Sequence, residues 1–225
     1  MLKDGEKGAV IQRDKESYAI VPHTPLGVVT PEILRRLADV AERYGVKALK
    51  ITSAQRIALV GVREEDIDAI WQELGVAPGA AVGLCVRSVK ACPGTTFCRL
   101  AKQDSLGLAQ ELDRRYHGRR LPWKFKMGVS GCINQCAENC IKDLGFIGKA
   151  DGWAVTVGGN GGSRPRLARL LTHGLSTEEA LEMAERVVSY FETNAKKTQR
   201  MGRLIEKVGW EEFCRAVGVD PAKAG

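Results

Sequence analysis

Along the first third of the chain, apolar residues gather first in a short run, then at every third or fourth position, then in short runs again. The segment YAIVP, starting at Tyr18, has the length and composition of a strand. Ile33, Leu34, Leu37, Val40 and Ala41 form the stripe of an amphipathic helix. Thr30, Pro31 and Glu32 open that helix with a capping hydroxyl, a proline in the first turn and an acid at the positive end of the dipole, and Gly45 closes it. KALKIT and RIALVGV, separated by Ser53, Ala54 and Gln55, read as the two strands of a hairpin, and EEDIDAIWQEL reads as a second amphipathic helix. This order is half of a ferredoxin-like βαββα pattern over residues 1–78, with Ala77, Pro78 and Gly79 as the linker.

Residues 79–225 read as a mixed α/β domain, which makes the whole chain α+β. The pattern predicts a helix from Thr95 to His117, a strand from Lys124 to Val129, a short helix from Asn134 to Lys142, and a strand pair in LGFIG and WAVTV. Gly158 to Gly162 must be a loop. Ser176 with Glu179 forms a capping box that opens a long helix through Leu181, Ala184, Val188 and Phe191, whose stripe reads as packing.

Composition narrows the class. A chain of 225 residues with 44% hydrophobic content can bury a core without a disulfide framework. The start, MLKDGEKGAVIQRDKESY, holds no apolar stretch of signal-peptide length, and no segment approaches a membrane span, so a cytoplasmic protein without a membrane partner is expected. In that compartment the seven cysteines read as reduced thiols and metal ligands, and their odd number leaves one unpaired in any disulfide scheme. The net charge of +7 raises nucleic acid as a partner, but there is no recognisable nucleic-acid module and no unbroken basic run. A multicarboxylate cofactor with a small oxyanion substrate would use the same charge.

The cysteines carry the sharpest pattern. Cys92 and Cys98 in ACPGTTFCR are spaced C-x5-C, and Cys132 and Cys136 in SGCINQC are spaced C-x3-C. Four thiolates so placed can hold an iron–sulfur cluster, and the spacing is neither that of a zinc ribbon nor that of a bacterial ferredoxin. If Asn134 is already helical, Cys132 and Cys136 are one turn apart and Cys140 follows on the same face as a competing ligand. Cys85 and Cys214 read as small buried thiols. Lys124 and Lys126 flank Phe125 in a strand, so their ammonium groups share a face that invites an anion. Asn160, Gly161 and Gly162, followed by Arg164 and Arg166, form a glycine loop with two guanidiniums suited to cofactor carboxylates; it lacks the lysine of a P-loop. His23, His117 and His173 lie near turns or helix ends and read as surface residues.

VRSVKACPGTTFCRLAKQDSLGLAQELDRRYHG and KFKMGVSGCINQCAENCIKDLGFIG, with TSAQRIALVGV and VGGNGG flanking them, resemble the motifs of the siroheme and [4Fe-4S] sulfite/nitrite reductases over nearly the whole chain. The resemblance implies a ferredoxin-like half-domain followed by a siroheme and iron–sulfur domain, with Cys92, Cys98, Cys132 and Cys136 as cluster ligands and Cys136 bridging to the siroheme iron. It makes Asn134 a hydrogen-bonding neighbour of the cluster, and Gly94 and Gly131 points of close backbone approach. Lys124 and Lys126, within PWKFK, take the place of paired lysines that bind the substrate oxyanion and supply protons. Arg56 and Arg87 contact substrate or siroheme carboxylates, and Thr52 and Gln55 touch the macrocycle. Sulfite reductases often have arginine directly before the hairpin glutamine, where this chain has Ala54, so TSAQRI looks more like the nitrite-reducing enzymes and Arg56 is open to either role. The implied activity is six-electron reduction of sulfite to sulfide, with nitrite to ammonia at the same centre as the alternative and a non-catalytic electron carrier as the alternative of another class. An external electron donor protein is implied. Larger relatives carry two copies of this unit, which implies a homodimer with each site completed across the interface.

Overall fold

The computed structural model describes residues 1–224. It divides into two compact units, Met1–Gly83 and Leu84–Gly225. In the first, strands β1 (Ala9–Ile11) and β2 (Tyr18–Ile20) precede helix α1 (Pro31–Arg43), strands β3 (Ala48–Ile51) and β4 (Ile57–Val62), and helix α2 (Ile67–Leu74). The sheet is antiparallel throughout in the order β1-β2-β4-β3. Its core joins Tyr18, Ile20 and Leu59 of the sheet to Leu37 and Val40 of α1 and Ile67, Ile70 and Leu74 of α2.

The predicted cap of α1 is present: the Thr30 hydroxyl accepts from the Ile33 N–H at 3.2 Å, a contact worth about 1 kcal/mol. Leu34 departs from the expected stripe and is 44% exposed. Strand β1 was not expected; at three residues it is too short to show a period. Pro78 bridges to Pro22 and the Gly79 N–H donates to the Val21 carbonyl at 2.7 Å, so these residues are bonded into the first unit rather than standing off as a free linker.

The second unit is built on a five-stranded sheet in sequence order: β5 (Val86–Ala91), β6 (Phe125–Ser130), β7 (Leu144–Lys149), β8 (Gly152–Val157) and β9 (Arg169–Leu175). Strands β5, β6 and β7 run parallel, β8 pairs antiparallel with β7, and β9 pairs antiparallel with β8. Helices α3 (Gly94–Phe97) and α4 (Ser105–Tyr116) lie between β5 and β6, with α4 packed on both strands. Helix α5 (Thr177–Asn194) starts at the expected capping box, with the Ser176 hydroxyl accepting from Glu179 N–H and the Glu179 carboxylate accepting from Ser176 N–H. It buries Ala184, Val187, Val188 and Phe191, and α6 (Met201–Val208) and α7 (Trp210–Ala216) follow it.

Two expected helices are corrected. The stretch from Thr95 to His117 breaks at Cys98, whose backbone is extended, and resumes only at Ser105, where the Asp104 carboxylate caps α4 by accepting from Gly107 N–H. The stretch from Asn134 to Lys142 is a series of turns holding one 3-10 turn at Asn139–Ile141, because Gln135 and Glu138 both adopt left-handed φ angles, of 50° and 59°. Cys132, Cys136 and Cys140 therefore do not share a helix face.

Candidate iron–sulfur and anion site

Strand order brings the two cysteine loops side by side. Cys92 immediately follows β5 and Cys132 follows β6 by one residue, and these neighbouring parallel strands end side by side, with Ala91 in register with Val129. Both pairs thus lie in loops leaving the carboxyl ends of adjacent parallel strands, the edge at which open sheets bind ligands. The loops are stitched together. The Cys92 N–H donates to the Val129 carbonyl at 3.1 Å, Lys102 N–H donates to the Gly131 carbonyl at 2.6 Å, and Gly131 N–H donates to Cys92 Sγ at 3.1 Å.

Close packing at Gly131 explains why a glycine stands there. A Cβ on it would lie 2.8 Å from the Gln103 carbonyl oxygen and 3.0 Å from the Cα of Gly94, so backbone meets backbone where a side chain would hold the loops apart. Gly94 is equally crowded, with a Cβ placed 2.7 Å from Ser105 N. The second loop is shaped by side chains. Buried Asn139 donates to the carbonyls of Gly128 at 2.7 Å and Phe146 at 2.8 Å, and its Oδ1 accepts from the Ser130 hydroxyl, which in turn accepts from Ala137 N–H at 3.0 Å. Asn134, the residue expected beside the cluster, is exposed, as Cys136 is, while buried Asn139 shapes that loop.

Cys92 and Cys132 are buried, Cys98 is half-buried, and Cys136 is exposed. Among the described residues, no three His, Cys, Asp or Glu side chains converge on a single metal ion. A four-iron cluster asks for something else: one thiolate per iron, spread around a cube. All-thiolate donors in two loops that hydrogen bonds hold together fit that demand. Cys140 is exposed, and its carbonyl accepts from Ala168 N–H at 2.8 Å, tying the loop to the residues before β9. Cys85 and Cys214 are buried, and burial raises the Cys214 pKa.

Along β6, the face that carries Lys126 continues to Gly128, against which Ala137 and Lys142 of the cysteine loop pack closely. Lys126 is half-buried, and its pKa is lowered, first by that burial and then by the charges of Lys142, Arg200 and Arg87. Lys124, also half-buried, is lowered by burial and then by Arg200 and Arg87. Lys142 is held by Glu138 at 2.9 Å, and Glu138 also takes Lys90 at 3.0 Å. The positive charge is therefore concentrated at the start of β6, beside half-buried Arg87 of β5.

Lys124 also lines a cavity of about 370 Å³ with Asn160, Gly161, Arg164, Arg166, Arg200 and Arg203. Asn160 closes the glycine loop by donating to the Arg164 carbonyl at 2.9 Å and pairing its backbone with Arg166. Arg164 is exposed, and half-buried Arg166 is paired with Glu206. Arg200, Arg203 and Lys142 were not singled out from the sequence; nothing in their local spacing marks them, because they reach this region through tertiary packing. In the first unit, the hairpin turn is set by Gln55 at a left-handed φ of 59°, with Thr52 N–H donating to the Arg56 carbonyl at 2.8 Å. Arg56 is buried at 5% exposure, and Thr52 and Gln55 are half-buried.

Known proteins match both units. Residues 10–77 match the nitrite/sulfite reductase ferredoxin-like half domain, and residues 82–223 match the nitrite and sulphite reductase 4Fe-4S domain. The assimilatory-type sulfite reductase of Nitratidesulfovibrio vulgaris is 43% identical over 96% of this chain and 99% of its own length. The nitrite reductase [NAD(P)H] of Bacillus subtilis is 40% identical over 96% of this chain, which spans 26% of that longer protein. Among solved structures, the Mycobacterium tuberculosis NirA protein superposes with a TM-score of 0.80 at 23% identity, over 96% of this chain and 43% of its own. Dissimilatory sulfite reductase I superposes with a TM-score of 0.82 at 17% identity, over 90% of this chain and 69% of its own. With the two domain matches in succession and a relative aligned from end to end, the chain belongs to the nitrite and sulphite reductase family.

Proposed function

We propose that this chain reduces sulfite to sulfide with six electrons, using siroheme coupled to a [4Fe-4S] cluster. The observation that supports this reading is the pair of hydrogen-bonded cysteine loops that leave the adjacent ends of β5 and β6, in a chain that aligns over 96% of its length with an assimilatory-type sulfite reductase. When bound, the siroheme and cluster supply the substrate-binding iron and the electrons.

Cys92, Cys98, Cys132 and Cys136 would hold the cluster, and Cys136, which is exposed, would face the siroheme as its motif position implies. Asn160, Gly161, Arg164 and Arg166 would grip carboxylates of that macrocycle through the cavity they line. In the first unit, Thr52, Gln55 and Arg56 keep the cofactor or oxyanion contacts that the resemblance gives their hairpin. Lys124, Lys126 and Arg87 would hold the oxyanion and offset its charge. A lysine whose pKa is lowered by burial and by neighbouring cations gives up a proton more readily, which suits Lys126 to protonating an oxygen as it leaves. Electrons would come from an external donor protein.

Nitrite reduction to ammonia is the second reading, favoured by the TSAQR hairpin and by the nitrite reductases among the relatives. Anaerobic purification with an absorption spectrum, iron and sulfide analysis, and steady-state assays on both anions with an artificial reductant test the proposal. Colourless, iron-free protein would sink it, a higher kcat/KM on nitrite would exchange the two readings, and a loaded protein inert towards both anions would make it a carrier.

The working unit is further proposed to be a homodimer. Two observations support this. Strand β3 is an open sheet edge on which all four residues are exposed, Ile51 at 73%, and NirA is more than twice the length that this chain covers.

A further inference from the structure

Asp143 is fully buried, and burial pushes its pKa up against the bonds that keep it ionised. Its backbone N–H donates to the Lys126 carbonyl at 3.0 Å, while its Oδ2 accepts from the Lys126 N–H at 2.9 Å. One residue thus holds both backbone polar groups of Lys126. The same carboxylate takes a two-pronged bond from Arg200, Nε to Oδ1 at 2.9 Å and Nη2 to Oδ2 at 2.7 Å. Met201 N–H, at the start of α6, also points to it. The Asp143 carbonyl accepts from Gly158 N–H at 2.9 Å, where β8 gives way to the glycine loop. Strand β6 and the start of α6 therefore converge on this one side chain, and the glycine loop is tied to the backbone of the same residue.

Local stability alone does not require an ion pair at such a place, since well-packed apolar residues often serve as well. The charges around Lys126 give the pair another use. Arg87 faces the lysine from β5, Lys142 from the cysteine loop and Arg200 from the start of α6, and each disfavours its proton. Glu138 is engaged with Lys142 and Lys90, and the neighbouring Lys124 is itself a cation. Asp143 is the acid in this group that favours the charged lysine. Removing its charge would leave Lys126 among cations.

We infer that Asp143, paired with Arg200, is a positioning residue for Lys126, fixing the lysine's backbone on β6 and keeping its ammonium protonated in a cationic site. The inference rests on the reading of Lys126 as the group that meets the oxyanion, and its test separates the two.

The test compares wild type, Asp143→Asn and the double variant Asp143→Asn/Arg200→Gln as holoproteins. The rate of Lys126 acylation by acetic anhydride is followed by mass spectrometry across pH, alongside the pH profile of kcat/KM for sulfite. Asp143→Asn converts a neutral pair into a lone cation, so the Lys126 midpoint and the alkaline limb of the profile should both fall, by about one pH unit. The double variant restores a neutral pair, and both should return towards wild type although the structure is altered twice. A purely structural role predicts the opposite order, with the double variant at least as impaired as the single. An unmoved Lys126 midpoint in Asp143→Asn, or no recovery in the double variant, overturns the inference.

Arg200→Lys keeps both charges while losing the two-pronged bond, and serves if Asp143→Asn does not fold. It should leave the Lys126 midpoint in place and raise KM several-fold at an unchanged cofactor spectrum, and an unaltered KM would remove the positioning role. Lys126→Ala tests the underlying reading separately: unchanged sulfite and nitrite kinetics would defeat that reading, while the acylation midpoints would still judge the charge relation.

Discussion

The backbone N–H of Gly131 donates to the Sγ of Cys92 at 3.1 Å, joining the two cysteine loops before any metal is considered. The same contact that aligns the loops therefore also fixes the position of one sulfur that would meet iron.

Replacing Gly131 with Ala should separate the loops, because the new methyl would sit 2.8 Å from the Gln103 carbonyl oxygen and 3.0 Å from Ala101 Cβ. The expected cost is about 1–3 kcal/mol, with loss of most bound iron and sulfide at nearly unchanged far-ultraviolet circular dichroism. Full iron content in the purified variant would show that the loops tolerate spreading.

Serine at Cys136 should abolish turnover and disturb the coupled spectrum of siroheme and cluster, whereas serine at Cys214 should leave both cofactors in place. Cys214 is buried on α7 with its pKa raised by burial. Anaerobic alkylation offers an independent check: the loaded protein should label at exposed Cys140 and not at Cys214 until it is unfolded. A cluster-free Cys214→Ser protein would contradict the assignment.

Asn139→Ala removes two donors from buried carbonyls and the acceptor for Ser130. Leaving those groups without partners should destabilise the protein by roughly 2–4 kcal/mol, measured by urea denaturation. A loss below half a kcal/mol would mean that water replaces the amide without penalty.

Mixing inactive Cys136→Ser with inactive Lys126→Ala under conditions that exchange subunits should regenerate activity if each site is completed across a homodimer. One intact site would form in every mixed pair. No recovery after exchange has been demonstrated by mass would place the whole site within a single chain.

Much of this arrangement is legible in the residues themselves. The Thr30 and Ser176 caps, the β3–β4 hairpin and the C-x5-C and C-x3-C spacings are local signals, each complete within a few positions. Strand β5 is not: in VRSVKA a basic residue occupies every third position, and no period of two stands out. Missing it hides the reason the cysteine loops adjoin, since that depends on two parallel strands ending together. The loop after Cys132 misleads in the other direction, because INQCAENCIK has helix-compatible residues while Gln135 and Glu138 take left-handed turns in a loop that Asn139 and Ala137 tie to Gly128, Ser130 and Phe146 on the neighbouring strands. Asp143 and Arg200 lie 57 positions apart, beyond the reach of any spacing rule.

The side chains of Asn139 and Ser130 give the second cysteine loop its shape using only bonds within the protein. The receptacle is moulded by folding, and its inorganic contents are a later delivery. Chelation at neutral pH should then empty the site without melting its walls, and iron with sulfide should refill it; assembly and repair of the centre become matters of supply rather than of refolding.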